Sequence, residues 1–576
     1  MYTSEGLKID SSAPRGEYPR PQMVRDSYLS LNGEWDFCLN KNKDNPVSYP
    51  GKIIVPFSIE SPLSGVVKRT EKDDFLHYRK TFRFPKDFVG KRVLLHFEAV
   101  DQIAEVYWNG LFLGRHEGGY VPFSFELLGN EQENELLVCV QDDTSSSIYP
   151  RGKQSLVSDG VWYGATSGIW GNVWLESVPK EAICELRIKP NFDAKSVEME
   201  VKCDGTVTSS YVKTFFHGEL VGEGELDSNR RISIDLAPSF HPWSPEEPNL
   251  YDLEISVNED RVTSYFGLRK FSSVLLDGKP VFALNNKPYL MKGVLDQGYY
   301  PDGGLTAPSD QAMINDIQLM KDMGFNMLRK HIKIEPARWY YHCDRLGMLV
   351  IQDFVNNGGP YSSFLITLAP VIKFHFKDIG KKDYARFRQG DEKSRAFFES
   401  QLPQVTNLLF NAVSICSYVL FNEGWGQFDS ARLTSKLRKL DGSRLIDSHC
   451  GWYDQGAGDF SGDHIYFRPM KIKNDGKRIL SLSEFGGYSL RIPEHCFSAR
   501  NFGYRTFKTK EKLEQALAKL YLKKVLKLIR KEKLSAYVFT QLSDVEQETN
   551  GLITYDREVV KVDVEAMKRL NEEMHW

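Results

Sequence analysis

Residues 414–427 read Ser-Ile-Cys-Ser-Tyr-Val-Leu-Phe-Asn-Glu-Gly-Trp-Gly-Gln. An apolar run ends abruptly in Asn422-Glu423, and glycines follow that let the chain turn tightly without a side chain in the way. This is the form of a buried parallel strand with a carboxylate at its C-terminal end. A second stretch has the same shape: Ile479-Leu480-Ser481-Leu482-Ser483 runs into Glu484-Phe485-Gly486-Gly487. Working outward from these two, strands alternate with helices from Asp277-Gly278 onward. The eight expected strands are 290–295, 326–331, 348–354, 414–421, 444–448, 463–467, 479–484 and 534–541. Asp310 to Met323 carries apolar residues at 313, 314, 317, 320 and 323, a helical spacing. Eight such units make a TIM barrel, in which catalytic groups project from the C-terminal strand ends. About 60 residues separate the third strand from the fourth. They are expected to hold a helix near Glu392 to Leu409 and a long, lid-like loop.

Upstream of the barrel the rhythm is short alternating strands punctuated by Gly, Asn, Asp and Pro. Asn109-Gly110 between Val106-Tyr107-Trp108 and Leu111-Phe112-Leu113 is a type I′ hairpin signal. The first β block closes near Val178-Pro179-Lys180, and a second runs to about Phe271. The expected architecture is a β-sandwich (jelly roll) over 1–180, an immunoglobulin-like β-sandwich over 181–273 and a TIM (β/α)8 barrel over 274–576. The length of 576 residues, beyond the roughly 250 to 300 at which one core stops growing, agrees.

Hydrophobic residues make up 41%, charged residues 26%, and the formal net charge is −3, so no nucleic-acid partner is implied. The basic stretch Lys519 to Lys533 also carries spaced leucines and reads as a solvated helix face. No apolar run approaches 18 residues, and Met1 to Lys8 lacks the pattern of a secretory leader, so no membrane partner is expected. The eight cysteines show no CxxC spacing and read as reduced, buried thiols of a cytoplasmic protein, Cys184 and Cys203 included. A homo-oligomer is compatible with the sequence. The 12 histidines form no His-x-His or HExxH cluster, so neither a metal nor a cofactor is expected.

Cleaving a glycosidic bond needs one carboxyl group to protonate the leaving oxygen and another to attack the anomeric carbon or activate water. Glu423 and Glu484, on strands four and seven, are such a pair. A single strand-ending glutamate also suits a helix cap or an ion pair; two across one barrel mouth point to chemistry.

The motifs resemble glycoside hydrolase family 2, the group of β-galactosidases, β-glucuronidases and β-mannosidases. The resemblance rests on Pro19-Arg20-Pro21-Gln22, Leu31-Asn32-Gly33-Glu34-Trp35, Tyr149-Pro150-Arg151-Gly152-Lys153-Gln154, Ser167-Gly168-Ile169-Trp170, Leu295-Asp296-Gln297-Gly298-Tyr299 and Arg329-Lys330-His331. Asn422-Glu423-Gly424-Trp425-Gly426-Gln427 and Ser483-Glu484-Phe485-Gly486 complete it. It implies Glu423 as acid/base, Glu484 as nucleophile, Asn422 on the sugar 2-hydroxyl, Arg329 beside the nucleophile, and His464 with Tyr466 after strand six. Asp296, Gln297, His331 and Gln541 are further candidates to bind a carbohydrate substrate. Trp425 and Trp452 are candidate stacking platforms, and Arg151 is expected to reach toward the barrel. Two departures are evident: Asn411-Ala412-Val413-Ser414 stands where the family commonly has Asn-His-Pro-Ser, and Tyr466-Phe467-Arg468-Pro469 replaces a Tyr-Pro. A retaining exo-β-glycosidase is expected, β-galactosidase-like first, with β-glucuronidase or β-mannosidase specificity, or a catalytically silent carbohydrate-binding protein, as alternatives. No Asn-x-Lys element of the kind linked to glucuronate recognition is evident.

Overall fold

The computed structural model describes residues 1–362, 364–369, 372 and 374–576. Part of the lid-like loop expected between the third and fourth barrel strands therefore lies outside the described residues. The expected helix beyond it forms over Glu392–Leu409.

The first β block folds as two facing antiparallel sheets. One has six strands in the order Gly51–Val55, Gly33–Asn40, Phe75–Arg83, Glu133–Gln141, Ile103–Trp108, Leu111–Glu117. The other has four, Leu29–Ser30, Val173–Val178, Arg92–Phe97 and Phe123–Leu128. Period-two alternation buries one face of each, so Trp35, Phe37, Tyr78, Leu95, Val106 and Val138 meet between the sheets. At the tip of one hairpin Trp108 pairs with Leu111, and Asn109 and Gly110 take φ of 48° and 79°, as a type I′ turn requires. The second block packs a three-stranded sheet (183–235) against a four-stranded one (210–266), a seven-stranded immunoglobulin-like sandwich.

The barrel strands are β1 Met291–Asp296, β2 Met327–Lys330, β3 Leu349–Asp353, β4 Ile415–Val419, β5 Leu445–Asp447, β6 Phe460–Ile465, β7 Ile479–Gly486 and β8 Ala536–Thr540. They pair in parallel in the order β5-β4-β3-β2-β1-β8-β7-β6. The remaining seam is bridged by Asp459, whose N–H donates to Ile446 O (2.7 Å) and whose carboxylate accepts the Ile446 N–H (2.8 Å). Helix α1, Asp310–Asp322, starts where Ser309 Oγ accepts the Ala312 N–H at 3.1 Å. Near the C-terminus, helical residues 510–532 bury Leu513, Leu517, Tyr521, Val525 and Ile529 against the barrel. Lys519, Lys523, Lys524, Lys527 and Lys531 stay exposed, the solvated face expected.

Among the described residues no cysteine is paired, but the reading of buried thiols needs correction: Cys184 is exposed on an alternating strand at the outer face of its sheet, and Cys38 and Cys496 are only half-buried. Among the described residues no helix is long and apolar enough to cross a membrane.

Candidate active site

Strand ends and one loop of the first sandwich enclose a cavity of about 360 Å³ at the barrel mouth. Glu423 follows β4 in left-handed backbone (φ 52°), its N–H held by Cys450 O at 3.0 Å. A non-glycine residue fixed there marks a site where geometry outranks local comfort. Gly424 continues the turn at φ 74°; a Cβ there would stand 2.6 Å from the Tyr453 ring.

Glu484, at the end of β7, is tied down on both oxygens. Arg329 Nη1 donates to Oε1 at 2.9 Å and the Tyr466 hydroxyl donates to Oε2 at 2.5 Å. Arg329 is fully buried and is itself held by Asp353, through Nε (3.0 Å) and Nη2 (2.9 Å). Its Nη2 also donates to Asn422 Oδ1 at 2.8 Å. Asp353 further holds His331 Nδ1 at 2.9 Å. His464 lies between the two glutamates, with Nδ1 2.8 Å from Glu423 Oε1 and 3.5 Å from Glu484 Oε2.

These contacts divide the carboxyl groups. Burial, reinforced by the negative charge of Glu484, raises the Glu423 pKa, while the hydrogen bond from His464 works the other way. Burial also opposes ionisation of Glu484, but His464 and Arg329 outweigh it and bring its pKa down to about 2. His464 loses solvation too, yet Glu484 and Glu423 together raise its pKa and favour the imidazolium. The two carboxyl groups are thus pushed apart, Glu423 upward and Glu484 downward, the pattern of an acid and a nucleophile. Ligand atoms of Glu423, His464 and Glu484 lie within 4.8 Å of one another, a spacing that would also admit a divalent cation. Arg329 and Tyr466 already occupy the Glu484 oxygens.

Of the residues singled out in the sequence, Gln297, His331, Asn422, Trp425, Trp452, His464 and Tyr466 line the cavity with the two glutamates. Four do not. Asp296 is drawn into a buried ion pair with Lys330 (2.6 Å), and Arg329 acts from beneath through Glu484. Gln541 is buried and accepts the Gln297 amide N–H at 2.7 Å, fixing that side chain rather than meeting the cavity. Arg151 does reach the barrel, donating to Gly358 O at 2.5 Å, and so pins the sandwich loop in place. Trp425 is only 2% exposed and is packed on Trp162 (4.8 Å) and Tyr361 (5.7 Å), which makes it mainly a wall.

Several site residues went unrecognised in the sequence. Asp353, buried beneath the cavity rather than lining it, carries the same signal as the two glutamates, an acid closing an apolar strand. Trp162, Tyr504 and Glu548 sit in loops without local pattern. Lys153 is the most consequential. Carried in from the sandwich by the segment that Arg151 anchors, it is 6% exposed, 5.2 Å from the Tyr163 ring and 5.8 Å from Trp425. Among the described residues no carboxylate or hydrogen-bond acceptor meets its ammonium group, whereas Arg468, also at the cavity, is paired with Asp463.

A β-sandwich, an immunoglobulin-like sandwich and a barrel with two glutamates at opposed strand ends define a glycoside-hydrolase type of architecture. The chain belongs to glycosyl hydrolase family 2. The family's sugar binding domain matches residues 52–179, its central domain 179–269 and its TIM barrel domain 276–467. A β-galactosidase of Thermoanaerobacter pseudethanolicus is 28% identical over 48% of this chain, the match spanning 39% of that relative's own length. A β-glucuronidase of Streptococcus agalactiae is 25% identical over 70% of this chain and 68% of the relative. Among solved structures, a β-glucuronidase of an uncultured Clostridium superposes with a TM-score of 0.76 at 18% identity, over 96% of this chain and 99% of the other. A β-galacturonidase of Eisenbergiella tayi bound to galacturonate superposes with a TM-score of 0.69 at 17% identity, over 97% and 98%.

Proposed function

We propose that the chain is a retaining, exo-acting β-glycosidase in which Glu484 is the nucleophile and Glu423 the acid/base. The observation that carries this reading is that one carboxylate oxygen of Glu423 lies within 4.8 Å of one of Glu484, with His464 between them. Retaining enzymes hold the pair about 5 to 5.5 Å apart, whereas inverting ones leave about 6.5 to 9.5 Å for a water. Glu484 attacks the anomeric carbon as the bond to the leaving oxygen breaks, and Glu423 gives that oxygen its proton. The resulting glycosyl ester neutralises Glu484. Glu423, now a carboxylate, takes a proton from the water that attacks the same carbon and frees Glu484. A cavity walled by both the barrel and the sandwich loop suits a terminal sugar, and unpaired cysteines suit a cytoplasmic setting.

For the sugar itself, Lys153 favours an acidic one over the galactoside expected from the sequence. A nearly buried ammonium group with no partner is matched by a carboxylate on the substrate, through a charge-assisted hydrogen bond. Relatives named for glucuronide and galacturonide substrates are consistent with this choice. The experiment is a panel of nitrophenyl β-glucuronide, β-galacturonide, β-galactoside and β-mannoside. Release of nitrophenol from the uronides first, and its loss in Glu484→Ala, is expected. Binding without hydrolysis of any member, as a carbohydrate-binding protein would show, would sink the proposal.

A further inference from the structure

A second cavity of about 360 Å³ lies where the first sandwich meets the barrel, beside the catalytic one and on the far side of a shared wall. Three segments line both. Residues 159–162, 502 and 548 face the catalytic cavity, whereas 156, 158, 164, 497 and 546 face the second. The mechanism uses none of the latter.

Its chemistry is uneven in an informative way. Ser58 is 1% exposed, lines the cavity, and its hydroxyl has no hydrogen-bond partner among the described residues. Glu60 Oε2 accepts the Ser167 N–H at 3.0 Å, but its Oε1 is buried and unpartnered. Leaving such groups unsatisfied is costly unless something else binds them. Burial pushes the Glu60 carboxyl up to about 8, so near neutral pH it is uncharged and can donate as well as accept. Two aromatic side chains line the same cavity. Tyr555 is 3% exposed and Phe497 51% exposed, with ring centroids 6.1 Å apart. Phe497 meets Tyr555 edge to face, at an interplanar angle of 78°, and about half of its surface stays exposed at the cavity.

We infer that this cavity is a second saccharide site, taking a sugar residue with one face on Phe497 and its hydroxyls on Ser58 and Glu60. A sugar ring offers both requirements at once, an apolar face of C–H groups and a fringe of hydroxyls that donate and accept. Lys68 and Arg69 also line the cavity, so its walls carry basic as well as acidic side chains. Binding here requires no turnover, so it stands or falls apart from the catalytic assignment.

The test uses the whole chain carrying Glu484→Ala, which prevents any probe from being consumed. Crystals are soaked separately with cellobiose, lactose and xylobiose, and the same sugars are titrated calorimetrically. A sugar ring against Phe497 with a hydroxyl on Glu60 is expected for at least one of them. Phe497→Ala and Ser58→Ala are each expected to weaken that binding, the former about tenfold, the scale of one lost aromatic contact. Phe497 is exposed and the Ser58 hydroxyl unpartnered, so both variants should melt as the parent does. With Glu484 intact, both should hydrolyse nitrophenyl glycosides at the parent rate. Absence of all three sugars from the cavity, or an affinity unchanged by Phe497→Ala, overturns the proposal. Failure of nitrophenyl hydrolysis in the parent chain overturns the catalytic reading instead.

Discussion

His464 Nδ1 lies 2.8 Å from Glu423 Oε1 and so couples the proposed acid to the proposed nucleophile, which the same nitrogen faces at 3.5 Å. Activity requires Glu484 ionised and Glu423 protonated. It is therefore gained as pH rises through the low pKa of Glu484, about 2, and lost as pH rises through the raised pKa of Glu423. Both limbs depend on the imidazolium, which lowers both carboxyl pKa values. Replacing it by His464→Gln should move both limbs of the kcat/KM profile to higher pH. A downward shift, or none, measured across the full profile would contradict the arrangement.

Glu423→Ala removes the proton donor. The expected loss is about 10²- to 10⁴-fold for substrates with a poor leaving group, the usual contribution of general acid catalysis. Activated aryl glycosides, whose leaving oxygen needs little protonation, should lose much less in the first step. Equal losses across a leaving-group series would place the acid elsewhere.

Lys153→Met keeps the stem and deletes the charge. If Lys153 meets a substrate carboxylate, kcat/KM for a nitrophenyl β-uronide should fall roughly ten- to a hundredfold, the worth of a hydrogen bond to a charged group. The matching neutral glycoside should be unaffected or improved. An equal drop for both sugars would assign Lys153 to packing against Trp425 and Tyr163 instead.

Asp353→Ala leaves Arg329 buried beside Glu484 with two of its five hydrogen bonds gone, and His331 with none on Nδ1. Breaking a buried pair from one side costs about 3–5 kcal/mol. A clear fall in melting temperature, together with loss of turnover, is the expected outcome of a thermal scan and a nitrophenyl assay. Unaltered melting would mean that the charge cluster is not closed by Asp353.

Glu423, His464 and Glu484 also have the spacing of a cation site. With Arg329 and Tyr466 already on Glu484, hydrolysis is expected to continue unchanged after dialysis against a chelator. Activity restored only by added divalent cation would reverse that assignment.

The barrel was legible because strands buried on both faces read as apolar runs, and a strand-ending acid interrupts such a run visibly. Strand β6 shows where this fails. It begins at Phe460, three residues before the expected start, because Ser461-Gly462-Asp463 looks like a turn while its backbone pairs with Ile479–Leu482. Glu423 and Glu484 were found by their strand ends, and Asp296, which also ends a strand, was read as a sugar-binding candidate. Which of them faces the cavity depends on partners distant in sequence: Lys330 captures Asp296, and Arg329 presents Glu484. Lys153 lies within the Tyr149-to-Gln154 motif, but nothing local marks it as a cavity residue. Its place is set by the Arg151 contact to Gly358, 207 residues away, between two domains. Local pattern records what a residue's own strand or helix needs, and long-range docking leaves no such trace.

The most direct test is to inactivate the protein with the 2-deoxy-2-fluoro form of whichever nitrophenyl glycoside it hydrolyses, and to map the modified peptide by mass spectrometry. A glycosyl ester on Glu484, within the peptide that contains Ser483-Glu484-Phe485, is the predicted result. A sugar attached to Glu423 or any other residue would contradict the account.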